Sequence, residues 1–210
     1  MSVELKSKPA ASATPIHTTD RASFTAVAPT LPAATRRWLS TVGFDGAPDS
    51  FALLPDDKGS LKAVWAGVHA AVHPYALSAL PRALPAGNYR LDDAALAVDA
   101  QSAALSWSLG CYSFSAYKNA KRAPATLQLA ADDAASRGVR VAAAICAARD
   151  LINTPAEHLG PAELAQAVSA VAKTHGAKFK QTVGDALLAA GFPAIHAVGR
   201  AATREPRLIE

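Results

Sequence analysis

Apolar and polar positions along this 210-residue chain follow two different periods. In the first half, short apolar runs are bounded by turn formers. Ser50 to Leu54 is a short, mostly apolar run closed by Pro55-Asp56-Asp57-Lys58-Gly59, residues that favour a tight turn. Leu61 to Val68 reads as a strand with Val64 and Trp65 as its bulky members. Pro74, Pro81 and Pro85 leave room for one short helix, Tyr75 to Leu80, with Pro74 at a first helical position where its missing N–H has no partner to lose. Pro85-Ala86-Gly87-Asn88 reads as a turn, and Tyr89-Arg90-Leu91 leaves it extended. Asp92 or Asp93 is placed to cap a helix over 93–112, with Leu96, Ala100, Ala103, Trp107 and Leu109 near one face. A short basic turn, Lys118 to Arg122, leads to a strand over Ala125 to Ala130.

The second half is more helical. Asp132 and Asp133 open a long helix through Ile152, with Val141, Ile145, Ala148 and Ile152 stepping by four, three and four. Gly138 weakens its start, and Asn153-Thr154-Pro155 ends it, because a residue before proline is pushed away from helical angles. Pro161 opens the next helix, with Glu163 near its positive end, Leu164, Val168 and Val171 on one face, and Gly176 as its stop. Phe179 to Val183 is extended, and Asp185 caps a short helix ending at Gly191. Ala194 to Val198 reads as a strand, and Arg207-Leu208-Ile209 begins another. That order is the opening of an α/β domain. The last piece is too small to cover both faces of its sheet, so its apolar sides are buried only with more chain or a partner.

Composition narrows this picture. Half of the residues are hydrophobic and 18% are charged, enough to bury a core. No apolar run approaches the roughly 18–20 residues that cross a bilayer, so a membrane partner is not expected. Met1 to Asp20, rich in Ser, Thr, Pro and Lys, reads as loosely ordered. The net charge of +4 is too small to imply nucleic acid by itself. Cys111 and Cys146 show no metal-ligand spacing; free buried thiols in a reducing compartment are expected, with a disulfide between them left open.

Several patterns imitate functional sites. His69-Ala70-Ala71-Val72-His73 has the i, i+4 spacing of a zinc-binding helix, yet Ala70 stands where the general-base Glu belongs and Pro74 follows at once. Loop histidines are the expectation. Lys118-Asn119-Ala120-Lys121-Arg122, downstream of Tyr112, Phe114 and Tyr117, could stack single-stranded nucleic acid, as could Arg36-Arg37-Trp38; a solvated basic end is expected instead. Neither a G-x-S-x-G elbow nor a phosphate-binding loop occurs.

From Ala148-Arg149-Asp150-Leu151-Ile152-Asn153-Thr154-Pro155 onward, the chain resembles the leucyl aminopeptidase (cytosol aminopeptidase) family. The likeness continues through Gly160-Pro161-Ala162-Glu163-Leu164 and Gly184-Asp185-Ala186-Leu187-Leu188, then through Phe192 to Arg200 and Pro206 to Ile209. Leu84 to Leu91 and Leu109 to Phe114 look like a bacterial branch of the same family. The resemblance implies a cytoplasmic exopeptidase that removes amino-terminal residues from peptides, usually as a homohexamer, and whose two divalent ions, Mn or Zn, acidify a water and polarise the scissile carbonyl. Those ions are held in a G-K-G-x-x-F-D-[ST]-G-G-like and an N-T-D-A-E-G-R-like segment. Neither occurs here; Asn153-Thr154-Pro155-Ala156-Glu157 echoes the second, but Pro155 stands in place of the liganding Asp. No catalytic, metal or substrate-binding residue is therefore carried over, no cofactor is expected on residues 1–210, and this stretch alone is expected to be inactive. Glu157-His158 is expected to orient the turn after the linking helix. A non-catalytic assembly or DNA-binding module is the alternative reading. The expected class is α/β: an amino-terminal mixed α/β domain over 1–130 with 1–20 loosely ordered, a long linking helix over 131–153, and an incomplete catalytic domain over 154–210.

Overall fold

The computed structural model describes residues 2–92, 95–118 and 122–210. It divides into two compact units, Met1–Ala147 and Ala148–Glu210. The class is mixed α/β.

The first unit is built on a six-stranded sheet in the order β1-β6-β5-β2-β4-β3. Its strands are β1 (Val3–Lys6), β2 (Thr14–Thr19), β3 (Phe51–Pro55), β4 (Leu61–Gly67), β5 (Asn88–Leu91) and β6 (Thr126–Ala130). All pairings are parallel except β3 with β4, a hairpin whose turn Asp56 holds by accepting the amides of Lys58 and Ser60 at 2.8 Å each. Along β4, successive side chains serve opposite faces, as the pleat requires. Val64 and Ala66 join a core with Trp107, Leu77, Leu80, Tyr89 and Leu127, on the side covered by α3 (Leu80–Ala83), α4 (Ala100–Cys111) and the start of α5 (Asp133–Asn153). Trp65 faces the other way, against Phe24, Leu39 and Phe44, under α1 (Arg21–Val27) and α2 (Ala33–Thr41). Burial of β4 on both faces explains its nearly continuous apolar sequence.

Several expectations change here. Residues 2–20, expected to be loosely ordered, hold two strands of this sheet: β1 at one edge and β2 centrally between β5 and β4. Ile16, Thr18 and Thr19 are buried there, and the polar look of Thr-Pro-Ile-His-Thr-Thr hid a strand. The helix expected at Tyr75–Leu80 is a series of turns, with helix beginning only at Leu80. The helix expected over 93–112 begins at Ala100, because Asp99 caps it by accepting the amides of Gln101 and Ser102. Residues before it bridge strand ends instead, Leu96 exchanging hydrogen bonds with Thr18. Asp93 lies outside the described residues, as do Asn119, Ala120 and Lys121 of the basic turn. Cys111 and Cys146 are not joined in a disulfide, and each is partly exposed rather than buried.

In α5, the buried positions are Ala135, Gly138 and Ala142, not the expected Val141–Ile145–Ala148–Ile152 face. Gly138 is where α5 crosses α4 closely: a Cβ there would lie 2.4 Å from the Gln101 carbonyl oxygen. The apolar stripe read from the sequence exists but faces outward, with Ile152 81% exposed.

The second unit carries α6 (Pro161–Thr174), β7 (Gln181–Val183), α7 (Ala186–Ala189), α8 (Pro193–Gly199) and β8 (Arg207–Ile209). Ala194–Val198, expected as a strand, lies in α8: Pro193 occupies a first helical position, and apolar residues too few to show a period mislead. β7 and β8 pair antiparallel, Gln181 opposite Ile209. The fully or nearly buried apolar side chains of this unit are Ala165, Ala172 and Leu187, a small core.

Candidate functional site

Ala156, Glu157, Gly160 and Glu163, from the segments that follow α5, gather around one arginine. After α5 ends, His158 donates its amide to the Pro155 carbonyl at 2.8 Å, closing a turn over Pro155–His158. The Arg204 guanidinium reaches this turn and donates to the carbonyls of Ala156 and Glu157. It also stands 3.7 Å from the Glu163 carboxylate, which accepts the Gly160 amide at 2.9 Å and so closes the start of α6. A Cβ on Gly160 would come within 2.4 Å of the Arg204 guanidinium, so a larger residue there would require that flexible side chain to shift. Hydrogen bonds from its own amide and from Gly160 hold the Glu163 carboxyl below the usual glutamate range, with Arg204 and Arg207 adding charge attraction. Glu157 thus takes part through its backbone. Nothing in the sequence pattern distinguished Arg204 from any other surface cation.

The look-alike sites resolve into structural roles. His69 and His73 stack with ring centroids 4.6 Å apart, outside any helix. His69 Nε2 lies 3.0 Å from the Asp49 carboxylate, and His73 Nδ1 accepts the Tyr75 amide at 3.2 Å. Asp49, with φ of 62°, is the partner that sequence spacing did not reveal. Among the described residues, no group of three or more His, Cys, Asp or Glu side chains could hold a metal ion. Asp150 and Glu157 flank Pro155 without forming such a cluster, so these residues do not fit the paired cations that the resemblance implies. Three side chains of the basic-aromatic stretches are held by the backbone: Arg36 donates to the Pro29 carbonyl, Trp38 Nε1 to the Leu53 carbonyl, and Arg122 to the Leu84 carbonyl. Among the described residues no helix is long and apolar enough to cross a membrane.

A concavity of about 730 Å³ lies between α6, α8 and β8 in the second unit. Leu164, Ile195, Val198 and Ile209 line it, and Arg204 and Arg207 stand at its edge. It is an open apolar groove with no carboxylate among its lining residues.

Comparison with known proteins accounts for these features. Residues 14–130 match the family model for the M17 aminopeptidase N-terminal domain, and residues 146–210 match the model for the catalytic domain of the cytosol aminopeptidase family. A probable cytosol aminopeptidase of Mycobacterium marinum is 39% identical over 111 residues, covering 48% of this chain and 21% of that protein. The crystal structure of a cytosol aminopeptidase from Coxiella burnetii superposes with a TM-score of 0.83 at 34% identity, over 99% of this chain and 44% of that one. The bottromycin maturation enzyme BotP, solved in complex with Mn, gives a TM-score of 0.71 at 27% identity, over 95% of this chain and 44% of that one. The chain thus spans less than half the length of the relatives it matches. It belongs to the M17, or cytosol, aminopeptidase family.

Proposed function

We propose that this polypeptide supplies the amino-terminal domain and the opening elements of the catalytic domain of a metal-dependent leucyl aminopeptidase. The full-length enzyme would release amino-terminal residues from peptides in the cytoplasm, use two divalent ions, Mn or Zn, and assemble as a homohexamer. Residues 1–210 would have no activity alone. The reading is carried by one observation: the M17 N-terminal domain match over 14–130 and the cytosol aminopeptidase catalytic-domain match over 146–210 follow one another on this chain. The part this chain plays is positional. Arg204 and Glu163 fix the turn after α5 and the start of α6, so the elements that follow leave in one defined direction.

The test is an assay of the purified chain with leucine p-nitroanilide and Mn²⁺. No release above the metal blank is expected, and turnover abolished by a chelator would refute the inactivity. Fusing the remaining residues of the Coxiella burnetii relative after Glu210 should restore Mn-dependent release. A folded fusion without peptidase activity would contradict the aminopeptidase reading.

A further inference from the structure

The first unit holds a cavity that the aminopeptidase reading leaves without a role. A short 3₁₀ turn over Ala28–Thr30 separates α1 from α2, and Pro32 precedes the first turn of α2. Between this bend and the strands β2 and β4 lies a cavity of about 540 Å³. Val27 and Leu31 line it from the bend, and Ala63 and Trp65 line it from β4. A cavity of this size takes a small organic molecule, and mostly apolar walls with a few placed polar groups are what such sites carry.

The polar side chains in this wall are His17, Thr35 and Lys62. The His17 ring lies 5.2 Å from that of Trp65, tilted by 36°, and extends the aromatic surface. Lys62 is there because of a bulge. Leu54 pairs with Ala63 but Pro55 pairs with Leu61, so Lys62 is the extra residue of the β3–β4 ladder. In a regular strand it would share the core face of Val64 and Ala66. A bulge re-aims its side chain, and Lys62 lines the same cavity as Ala63 and Trp65.

Lys62 forms no salt bridge among the described residues. Asp56 and Asp57 border the adjoining concavity, but Asp56 accepts the turn amides of Lys58 and Ser60. The described lining of the cavity itself contains no carboxylate. An ammonium beside an apolar wall, with no acid across from it, complements an anion whose body is apolar.

We propose that this cavity binds a small organic monocarboxylate with an aryl body, its carboxylate on the Lys62 ammonium and its ring against Trp65, His17 and Leu31. One lysine matches a single negative charge better than the roughly doubled charge of a phosphate ester. The corresponding α-amino acid is disfavoured, because its ammonium would lose water and find no carboxylate in the described wall. The site lies within the first unit, so it stands or falls apart from the peptidase reading.

The experiment is an NMR titration of the 210-residue chain with hydrocinnamate, followed on backbone amides. Saturable shifts at Thr35, Ala63 and Trp65 are expected, with a Kd of about 1 mM or tighter for so small a ligand. Lys62→Met keeps the stem, removes the charge and should raise Kd at least roughly tenfold. Lys58→Met removes the same charge from the hairpin turn and should change nothing. Thr35→Phe, which fills the cavity from α2, should abolish the shifts.

Two further ligands test the charge without any substitution, so the proposal stays decidable even if a variant fails to fold. Hydrocinnamyl alcohol lacks the carboxylate and phenylalanine adds an ammonium; each should bind at least roughly tenfold more weakly than hydrocinnamate. Absence of saturation by about 20 mM hydrocinnamate, or shifts confined to residues away from the cavity, overturns the proposal. Equal affinity for the alcohol or for phenylalanine overturns it too, as does unchanged binding by a folded Lys62→Met variant.

Discussion

At the scale of single residues, the second unit is organised by charge and the first by close approach. The Glu163 carboxyl is held below its ordinary range by the amides it accepts, its own and that of Gly160. A lowered folded-state value means that its contribution is present above the unfolded glutamate pKa and is lost as the pH falls through the folded one. In an acid titration followed by NMR, the Gly160 amide should therefore stay at its native shift through the ordinary glutamate range and leave it only below. Glu163→Gln should displace that signal at neutral pH, and a Gly160 resonance indifferent to both acid and substitution would contradict the clamp. In the first unit, Gly67 faces the loop before β3: a Cβ there would meet the Ala47 carbonyl oxygen at 1.9 Å. Backbone cannot yield as a flexible side chain does, so Gly67→Ala should destabilise by about 2–3 kcal/mol. Chemical denaturation measures this, and a midpoint equal to wild type would show that the loop yields freely. Arg204 and Gly67 share a lesson. Their roles depend on partners 41 or more and 20 residues away respectively, Glu163 and Ala47, and no local pattern encodes such a distance.

At the scale of elements, most of the second half was legible because it is punctuated by strong signals. Pro161, Glu163 and Gly176 bound α6 where expected, and the turn over Pro155–His158 follows α5. β1 and β2 were missed because each strand is short and mixes polar with apolar residues; only Val3 and Leu5 of β1 and Ile16 of β2 bring large apolar side chains to the core. The α8 segment was misread because five residues hold too little period to separate strand from helix. For α5 the period was right and the face wrong. Its contact with α4 uses Ala135, Gly138 and Ala142, small residues that let two backbones approach. Two substitutions separate these faces. Gly138→Ala would gain up to about 1 kcal/mol of helix propensity in open solvent. Here the new methyl also meets Ala104 Cβ at 2.9 Å, so a net loss of about 1–3 kcal/mol is expected. Ile152→Glu, on the exposed stripe, should change the stability of this chain by less than about 0.5 kcal/mol. Thermal denaturation ranks the two, and the reverse order would contradict the packing of α5.

At the scale of the whole molecule, the two units differ in how much they bury. The first has Trp107, Tyr89, Ile16 and Leu127 essentially inaccessible beneath its sheet; the second has Ala165, Ala172 and Leu187. Amide hydrogen exchange should accordingly be slowest in β2, β4 and β6 and faster throughout α6–α8. Equal protection in both units would contradict the account. Family membership was readable from the ordered segments after Ala148, because each carries a structural duty here: ending α5, clamping the turn, starting α6, pairing β8. The cluster around Arg204 was not legible, because its partners Ala156, Glu157 and Glu163 lie 41 or more residues away along the chain. The reading that residues 1–210 carry no paired-metal segment rests only on which motifs the sequence contains. The most direct test is the metal stoichiometry of the purified 210-residue chain, equilibrated with Mn²⁺ or Zn²⁺, desalted and analysed by elemental mass spectrometry. The account predicts no tightly retained ion; two ions retained per chain and lost on substitution of its own carboxylates would contradict it.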